Sequence, residues 1–597
     1  MQTAETVLSI IQERGKRGLP LTHVYRMLFN PALYLHAYGK IYRNKGAMTK
    51  GSTAETVDAM SLSKIQAIIE LLRYERYRWT PVRRIYIEKK RSKKLRPLGM
   101  PSWSDKLLQE VLRLILSAYY EPQFSSHSHG FRPDRGCHTA LSEGYHQWVG
   151  TTYFVEGDIA ACFDSLDHTV MMSILREKIQ DGRFLRLIET LLAAGYLEDW
   201  RYHQTLSGCP QGSILSPVLA NVYLDQLDTF VETVLIPRYN KGERRKLNTA
   251  YTRVQAAAQR RRRAGQWKEA KALRKRQQHL PCYDTTDPDY RRLRYLRYAD
   301  DMLLGFAGPH SEAGEIKRQL GDFLQESLKL TLSQEKTLIT HARTQAARFL
   351  GYDLVVFHND QKRDRRGYRS INGQIGLQVP VEVIKAKCRP YQKNGKPVQR
   401  KELTNDTVYS IICQYQQEFR GLAEYYQLAV NRYQLNRLKW VMERSLVATL
   451  AHKLRISISK VYDRYETPIE TPDGPRKVLQ VTVEREGGKK PLIARWGGIT
   501  LARRNKAILD DSIAPVWAGR SELEKRLLAD TCELCGSREH VEVHHIRALK
   551  DLQRKGQDER PRWVQIMAAR RRKTLVACRK CHQDIHAGRA DGRRQLE

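Results

Sequence analysis

Arg294–Phe306 reads RYLRYADDMLLGF, two apolar arms around an acidic tip, Tyr298-Ala299-Asp300-Asp301. Aromatic and aliphatic residues on both sides of the tip predict two strands joined by a tight turn. Two adjacent carboxylates between apolar strands are costly to leave unpaired, and a divalent cation removes that cost. A third acid, Asp158, ends another apolar and β-branched run, Thr151–Ile159, which reads as a buried strand. Three acids on neighbouring strand ends can hold two magnesium ions about 3.5–4 Å apart for in-line phosphoryl transfer. Taken alone, the Tyr-x-Asp-Asp string also fits an ordinary surface turn.

On either side of this pair the chain alternates between strand and helix signals. Residues 1–80 read as mostly helical, with basic and aromatic residues interleaved. Arg84–Pro101, RIYIEKKRSKKLRPLGMP, predicts strand, basic turn and strand, and helix follows over Ser104–Tyr120. Further helices are predicted over Pro217–Val234 and Ser311–Leu328, with short strands between Phe349 and Phe357. From Val381 to Tyr462 a helical pattern carries one apolar face through Val408, Ile411, Ile412, Tyr415, Phe419, Leu422 and Tyr426. Residues 465–520, rich in Gly, Pro and charge, predict a small irregular module around the lone tryptophans Trp496 and Trp517. Arg238–Arg276 stands apart: it holds 15 Lys or Arg against two acids in a helix-favouring composition, and reads either as an RNA contact or as a solvated arm.

The 597 residues correspond to about four structural units at roughly 150 residues each. Hydrophobic residues make up 41% and charged residues 28%, enough apolar material for several cores. With 103 Lys and Arg against 65 Asp and Glu the net charge is +38, which points to a polyanionic partner, nucleic acid first. The longest apolar stretch, Leu107–Tyr120, is broken by Gln109, Glu110 and Arg113, so no membrane span is expected. The N-terminus has no signal-peptide pattern, and a location in the bacterial cytoplasm or an organelle is expected.

Six of the ten cysteines are scattered singly and read as reduced core thiols. The other four form Cys532-x-x-Cys535 and Cys578-x-x-Cys581 with 42 residues between the pairs, a spacing that suits a tetrahedral structural zinc. A tail of about 75 residues is small enough to need such a staple. Beside the cysteines stand Val543-His544-His545-Ile546 and the run CHQDIH, Cys581–His586.

An ordered set of blocks resembles the reverse transcriptases encoded by group II introns. In chain order these are RPLGMPSWSDK (Arg96–Lys106), HGFRPDRGCHTA (His129–Ala140), GDIAACFD (Gly157–Asp164), SGCPQGSILSPVLANVYLDQLD (Ser207–Asp228), YADD, SQEKT (Ser333–Thr337) and FLGYDL (Phe349–Leu354). LAEYYQLA (Leu422–Ala429) and ATLAHKLRIS (Ala448–Ser457) are similar to the family's maturase or thumb segment, and the tail resembles the HNH nucleases fused to many of these enzymes. The implied fold is α+β and multidomain: right-hand fingers and palm over 1–378 with an N-terminal RNA-binding extension over 1–80, an α-helical thumb or maturase domain over 379–465, a small DNA-binding module over 466–520, and a zinc-containing ββα-metal HNH endonuclease over 521–597.

The resemblance also implies roles. Asp158, Asp300 and Asp301 would hold two Mg2+. Phe163 would stack under the incoming sugar and exclude a 2′-hydroxyl, and Gln211 would line the nucleotide pocket. Lys336 would act as general acid toward pyrophosphate, while Lys90, or Lys89 in its place, and Arg96 would meet the triphosphate. His582 and His586, one helical turn apart, would join His544 around one catalytic divalent ion, and His545 would be the general base. His582 stands where the family often has Asn. A purely DNA-binding zinc finger is the other reading of the four cysteines. The expected activity is RNA-directed DNA polymerisation, maturase-assisted splicing and DNA nicking in target-primed reverse transcription, with intron RNA, target DNA and deoxynucleotides as partners. A splicing factor that has lost catalysis is the rival from another class, and the intact acids and His545 argue against it.

Overall fold

The computed structural model describes residues 2–44, 46–88, 95–199, 201–205, 207–208, 212–365, 367–471, 474–485, 490–504, 521–552, 561–570 and 572–589. The expectations for Lys89, Lys90, Gln211 and Trp517 fall outside these residues.

At the centre is a four-stranded antiparallel sheet: β1 (Tyr153–Asp158), β2 (Arg292–Tyr298), β3 (Asp301–Ala307) and β4 (Leu338–His341), in the order β4-β1-β3-β2. The near-continuous apolar run of β3 follows from burial on both faces. Because successive side chains point to opposite faces, Val155, Met302 and Leu304 join one core while Phe154 and Leu303 join another. The sheet is therefore the wall between the two halves of the molecule.

The first core gathers the N-terminal helices, the long helix Trp103–Tyr120 and the helix Ser216–Phe230. Val82–Glu88 and Leu95–Met100 form the expected antiparallel hairpin, extended by Tyr196–Glu198 and Arg201–His203. The second core holds the helices Val408–Tyr425 and Leu435–Leu454. The expected apolar face of Val408–Tyr425 is the one buried, through Ile411, Ile412, Tyr415 and Phe419.

Residues 466–496 depart from the irregular module expected there. They form a three-stranded antiparallel sheet, Glu466–Thr471, Gly474–Val483 and Leu492–Trp496. Trp496 is buried against Phe419 and Tyr415, with ring centroids 5.6 Å and 6.3 Å away, so the sheet shares the helical core. Of the inward residues of the outer strand, Thr467, Ile469 and Thr471, only Ile469 is fully apolar, so the strand lacks the apolar alternation by which its sequence could be read.

The Arg-rich insertion is a helical hairpin, Thr249–Arg263 and Trp267–His279, whose first helix buries no residue. At the C-terminal end, β5 (Val541–His545) pairs antiparallel with β6 (Thr574–Cys578), and the helix Arg579–His586 follows. This ββα unit is docked, not tethered: Leu523, Leu527, Val541, Val543 and Val576 belong to the same core as the N-terminal helices. Among the described residues no helix is long and apolar enough to cross a membrane.

Candidate active sites and metal centres

Tyr298 pairs with Asp301 across the hairpin, so Ala299 and Asp300 form a two-residue turn. Ala299 takes φ +56°, a left-handed conformation uncommon outside glycine. A buried network holds it there. Arg297 Nη1 donates to the Ala299 carbonyl at 2.8 Å, while its Nε and Nη2 donate to Asp228 at 2.7 and 2.6 Å. Tyr295 Oη donates to the same carboxylate at 2.7 Å, and both Arg297 and Asp228 are fully buried. Gly130 packs against the turn so closely that a Cβ would come within 2.3 Å of the Ala299 nitrogen, and Asn221 Nδ2 fixes the Gly130 carbonyl at 2.9 Å. The HGFRP block is thus the backing of the acidic turn.

Strand register sets Asp158, the last residue of β1, opposite Asp301. Burial raises Asp300 above the ordinary carboxylate range, with Asp158 adding to the shift. Burial, then the charges of Asp300 and Asp158, push Asp301 up to about 6. Such crowding calls for positive charge. Lys336 supplies some, donating to Asp158 Oδ2 at 2.8 Å, and Arg96 lies near enough to Asp300 to lower its pKa. Phe163 sits on the short helix Cys162–Ser165 beyond β1 and meets Phe131 edge to face at 6.2 Å.

In the tail, Cys532, Cys535, Cys578 and Cys581 offer four sulfurs within 4.8 Å of one another, and Cys535 Sγ lies 3.6 Å from Cys578 Sγ. Burial and the neighbouring thiols raise Cys581 well above the ordinary thiol range, a conflict that a bound zinc would remove by taking thiolates as ligands. His544, His582 and His586 converge as expected, but with a fourth member, Asp58 from the N-terminal segment, again within 4.8 Å of one another. His586 Nε2 lies 3.1 Å from His582 Nε2 and 2.8 Å from Asp58 Oδ2. Both ring nitrogens of His544 are buried without a hydrogen-bond partner among the described residues, and burial holds the ring down to about 4, so at neutral pH it is uncharged and offers one nitrogen lone pair. Glu542 accepts from His582 Nδ1 at 2.9 Å and orients Nε2 toward the cluster, the arrangement in which a carboxylate supports a metal-ligating imidazole. The donor set fits a divalent ion.

His545 is not brought to this cluster. Strand alternation sends it to the opposite face of β5 from His544. There its Nε2 hydrogen-bonds the Tyr38 hydroxyl at 3.0 Å and its Nδ1 the Val543 carbonyl at 3.1 Å. It forms part of the wall of a cleft of about 1130 Å3 with a basic lining that includes Arg43, Lys50, Arg83, Arg526, Arg547 and Arg572. As folded, the ring of this expected general base faces the N-terminal segment.

Sequence reasoning missed Asp58, Tyr38, Glu542 and the Arg297–Asp228 pair. Arg297 left a signal, a charge inside a buried strand that must find a partner. Asp58 left none, because its partners lie at the other end of the chain.

Residues 87–251 match the family described as reverse transcriptase (RNA-dependent DNA polymerase), 374–484 that described as type II intron maturase, and 532–582 the AI2M/AI1M-like HNH endonucleases. The group II intron-encoded protein LtrA of Lactococcus lactis subsp. cremoris is 38% identical over 615 residues, covering 98% of this chain and 99% of that protein. A 91 kDa protein in a cob intron of Schizosaccharomyces pombe is 35% identical over 589 residues, covering 94% of this chain and 69% of its own. With this agreement along nearly its whole length, the chain belongs to the group II intron-encoded proteins, and is an RNA-directed DNA polymerase and HNH endonuclease with an intron maturase domain.

Proposed function

We propose that the protein serves intron mobility by target-primed reverse transcription: it binds its intron RNA and assists splicing, nicks target DNA, and extends the exposed 3′-hydroxyl with deoxynucleotides. The observation that carries the polymerase reading is the register of the central sheet, which sets Asp158 opposite Asp301 beside a turn presenting Asp300. When bound, two Mg2+ supply charge to the attacking and leaving oxygens. Asp158, Asp300 and Asp301 hold them. Lys336 neutralises the cluster until nucleotide enters and then gives its proton or its charge to the pyrophosphate. Arg96, with Lys90 or Lys89, meets the triphosphate; Gln211 lines the pocket, and Phe163 excludes the ribose 2′-hydroxyl.

In the tail, the four cysteines hold a structural Zn2+, and His544, His582 and His586 hold one divalent ion that supplies Lewis acidity to the scissile phosphate. Glu542 keeps His582 aimed, and the basic cleft beside His545 offers DNA a path. His545 serves as general base once Tyr38 releases its ring. The functional division is a polymerase half over 1–378, with 1–80 as RNA-binding extension, a thumb and maturase segment over 379–465, a DNA-binding module over 466–520 and the nuclease over 521–597. Bacterial cytoplasm or an organelle is the setting that supplies these partners.

Asp300→Asn, assayed for Mg2+-dependent primer extension and for DNA nicking in parallel, should lose the first and keep the second. Substantial extension by the variant would remove the triad assignment.

A further inference from the structure

One member of the nuclease cluster comes from outside the nuclease. Residues 59–60 add a short antiparallel edge to β5: the Ala59 N–H donates to the Val543 carbonyl at 3.1 Å, and the Val543 N–H to the Met60 carbonyl at 2.8 Å. Ala59 takes φ +60°, a conformation L residues seldom adopt, next to the carboxylate at the ion site. Asp58 Oδ1 accepts from the His545 backbone N–H at 2.8 Å and lies 3.2 Å from His582 Nε2 and 3.6 Å from His544 Nδ1, while Oδ2 lies 2.8 Å from His586 Nε2. A carboxylate in contact with three imidazoles stands where an ion's remaining ligand would stand.

Catalytic sites of this kind keep one position open for water or substrate, whereas four protein ligands close the shell. On the reading that His544, His582 and His586 hold the nuclease ion, we propose that Asp58 is a fourth, removable ligand, and that the N-terminal segment thereby holds the nuclease in a closed, non-cutting arrangement. Asp58 presents an anionic oxygen, as the scissile phosphate does, so the two compete for one position. A second contact acts in the same direction: the Tyr38 hydroxyl, on the helix Pro31–Ile41, engages His545 Nε2 and keeps that nitrogen from a water. Both contacts belong to residues 1–80, and the shared apolar core through Leu523, Leu527 and Val543 supplies the docking energy. Cutting therefore requires the N-terminal segment to yield these two contacts, which ties the nuclease to whatever else that segment binds.

The test uses the full-length protein carrying zinc on its cysteines, titrated with Co2+ and followed by visible absorption. Four-coordinate Co2+ absorbs far more strongly than the six-coordinate ion expected at an all-oxygen site, so the histidine cluster dominates the signal. Asp58→Asn should weaken Co2+ binding about 10-fold or more, within the range seen when a metal site loses a supporting group, yet at saturating divalent ion it should nick DNA several-fold faster than wild type. Tyr38→Phe, which removes only the hydroxyl, should nick faster with Co2+ binding unchanged. Unchanged Co2+ affinity in Asp58→Asn would show that Asp58 is no ligand. Weakened binding with slower or equal nicking at saturation would show that Asp58 builds the working site and does not close it. His544→Ala separates the underlying reading: if it retains the Co2+ signal, the histidine assignment fails before the question of Asp58 arises.

Discussion

A buried guanidinium decides the geometry of the acidic turn. Arg297 spends its donors on Asp228, Asn221 and the Ala299 carbonyl, and so holds a left-handed alanine that the local sequence disfavours. Asp228→Asn would leave that buried cation without its hydrogen-bonded carboxylate and with only Asp225 as nearby counter-charge, which costs up to about 3–5 kcal/mol. The expected readout is a lower urea midpoint together with lost primer extension, although Asp228 is not placed at the reacting atoms. Asp301 carries the opposite signature. Its folded pKa of about 6 stands above the ordinary value near 3.9 for an unfolded chain, so the fold favours its protonated form. Its contribution to stability is complete below about pH 4 and is lost as pH rises through 6. In metal-free protein, Asp301→Asn should thus be more stable than wild type at pH 8, by about 1 kcal/mol after solvent screening, with the two converging toward pH 4. Equal melting temperatures at pH 8 would show that the carboxylates do not strain one another.

The ββα element of the tail depends on its cysteines in a way that the larger elements do not depend on any ligand. Its own core is small, Leu552, Val564, Met567, Leu575 and Ile585, and the cysteine cluster lies beside it. Removing zinc by chelation, or Cys535→Ser, should therefore unfold β5 and β6 and stop DNA nicking, while extension of a supplied primer continues. Hydrogen exchange on β5 and β6 reads this directly: retained amide protection in the chelated protein would show that docking on the N-terminal helices is enough to hold the module. The 466–496 sheet behaves differently. Its Trp496 is a member of the helical core, so truncation before residue 466 should open that core, and a loss confined to DNA binding is not expected.

At the scale of the whole molecule, the +38 charge is what a nucleic-acid partner offsets. The hairpin Thr249–Arg263 with Trp267–His279 carries Arg260, Arg261, Arg262 and Arg263 on a helix with no buried residue, so charge reversal there spares the cores and costs the hairpin the Arg261–Glu269 ion pair and the stacking of Arg262 on Trp267. The four-Arg variant should bind intron RNA more weakly and with a shallower salt dependence, roughly one unit of slope per lost phosphate contact. Matching slopes for variant and wild type would reduce the hairpin to a solvated face. Splicing is RNA chemistry, so Asp301→Ala should lose cDNA synthesis while still supporting splicing at moderate magnesium.

What the sequence determined by itself is local or periodic. The apolar arms around Tyr298–Asp301, the apolar run that makes β1, the buried stripe of Val408–Tyr425 and the two Cys-x-x-Cys knuckles are each set by residues within a few turns of one another, because strand and helix signals act over short range. The ordered blocks supplied the family for the same reason. Only the tertiary structure decided which distant groups meet: Arg297 with Asp228, Gly130 under Ala299, Trp496 within the helical core, and Asp58 and Tyr38 on the nuclease histidines. Those contacts carry no period and no spacing. They arise where separate apolar faces find one another, and the polar groups brought along must then be satisfied by whatever lies opposite.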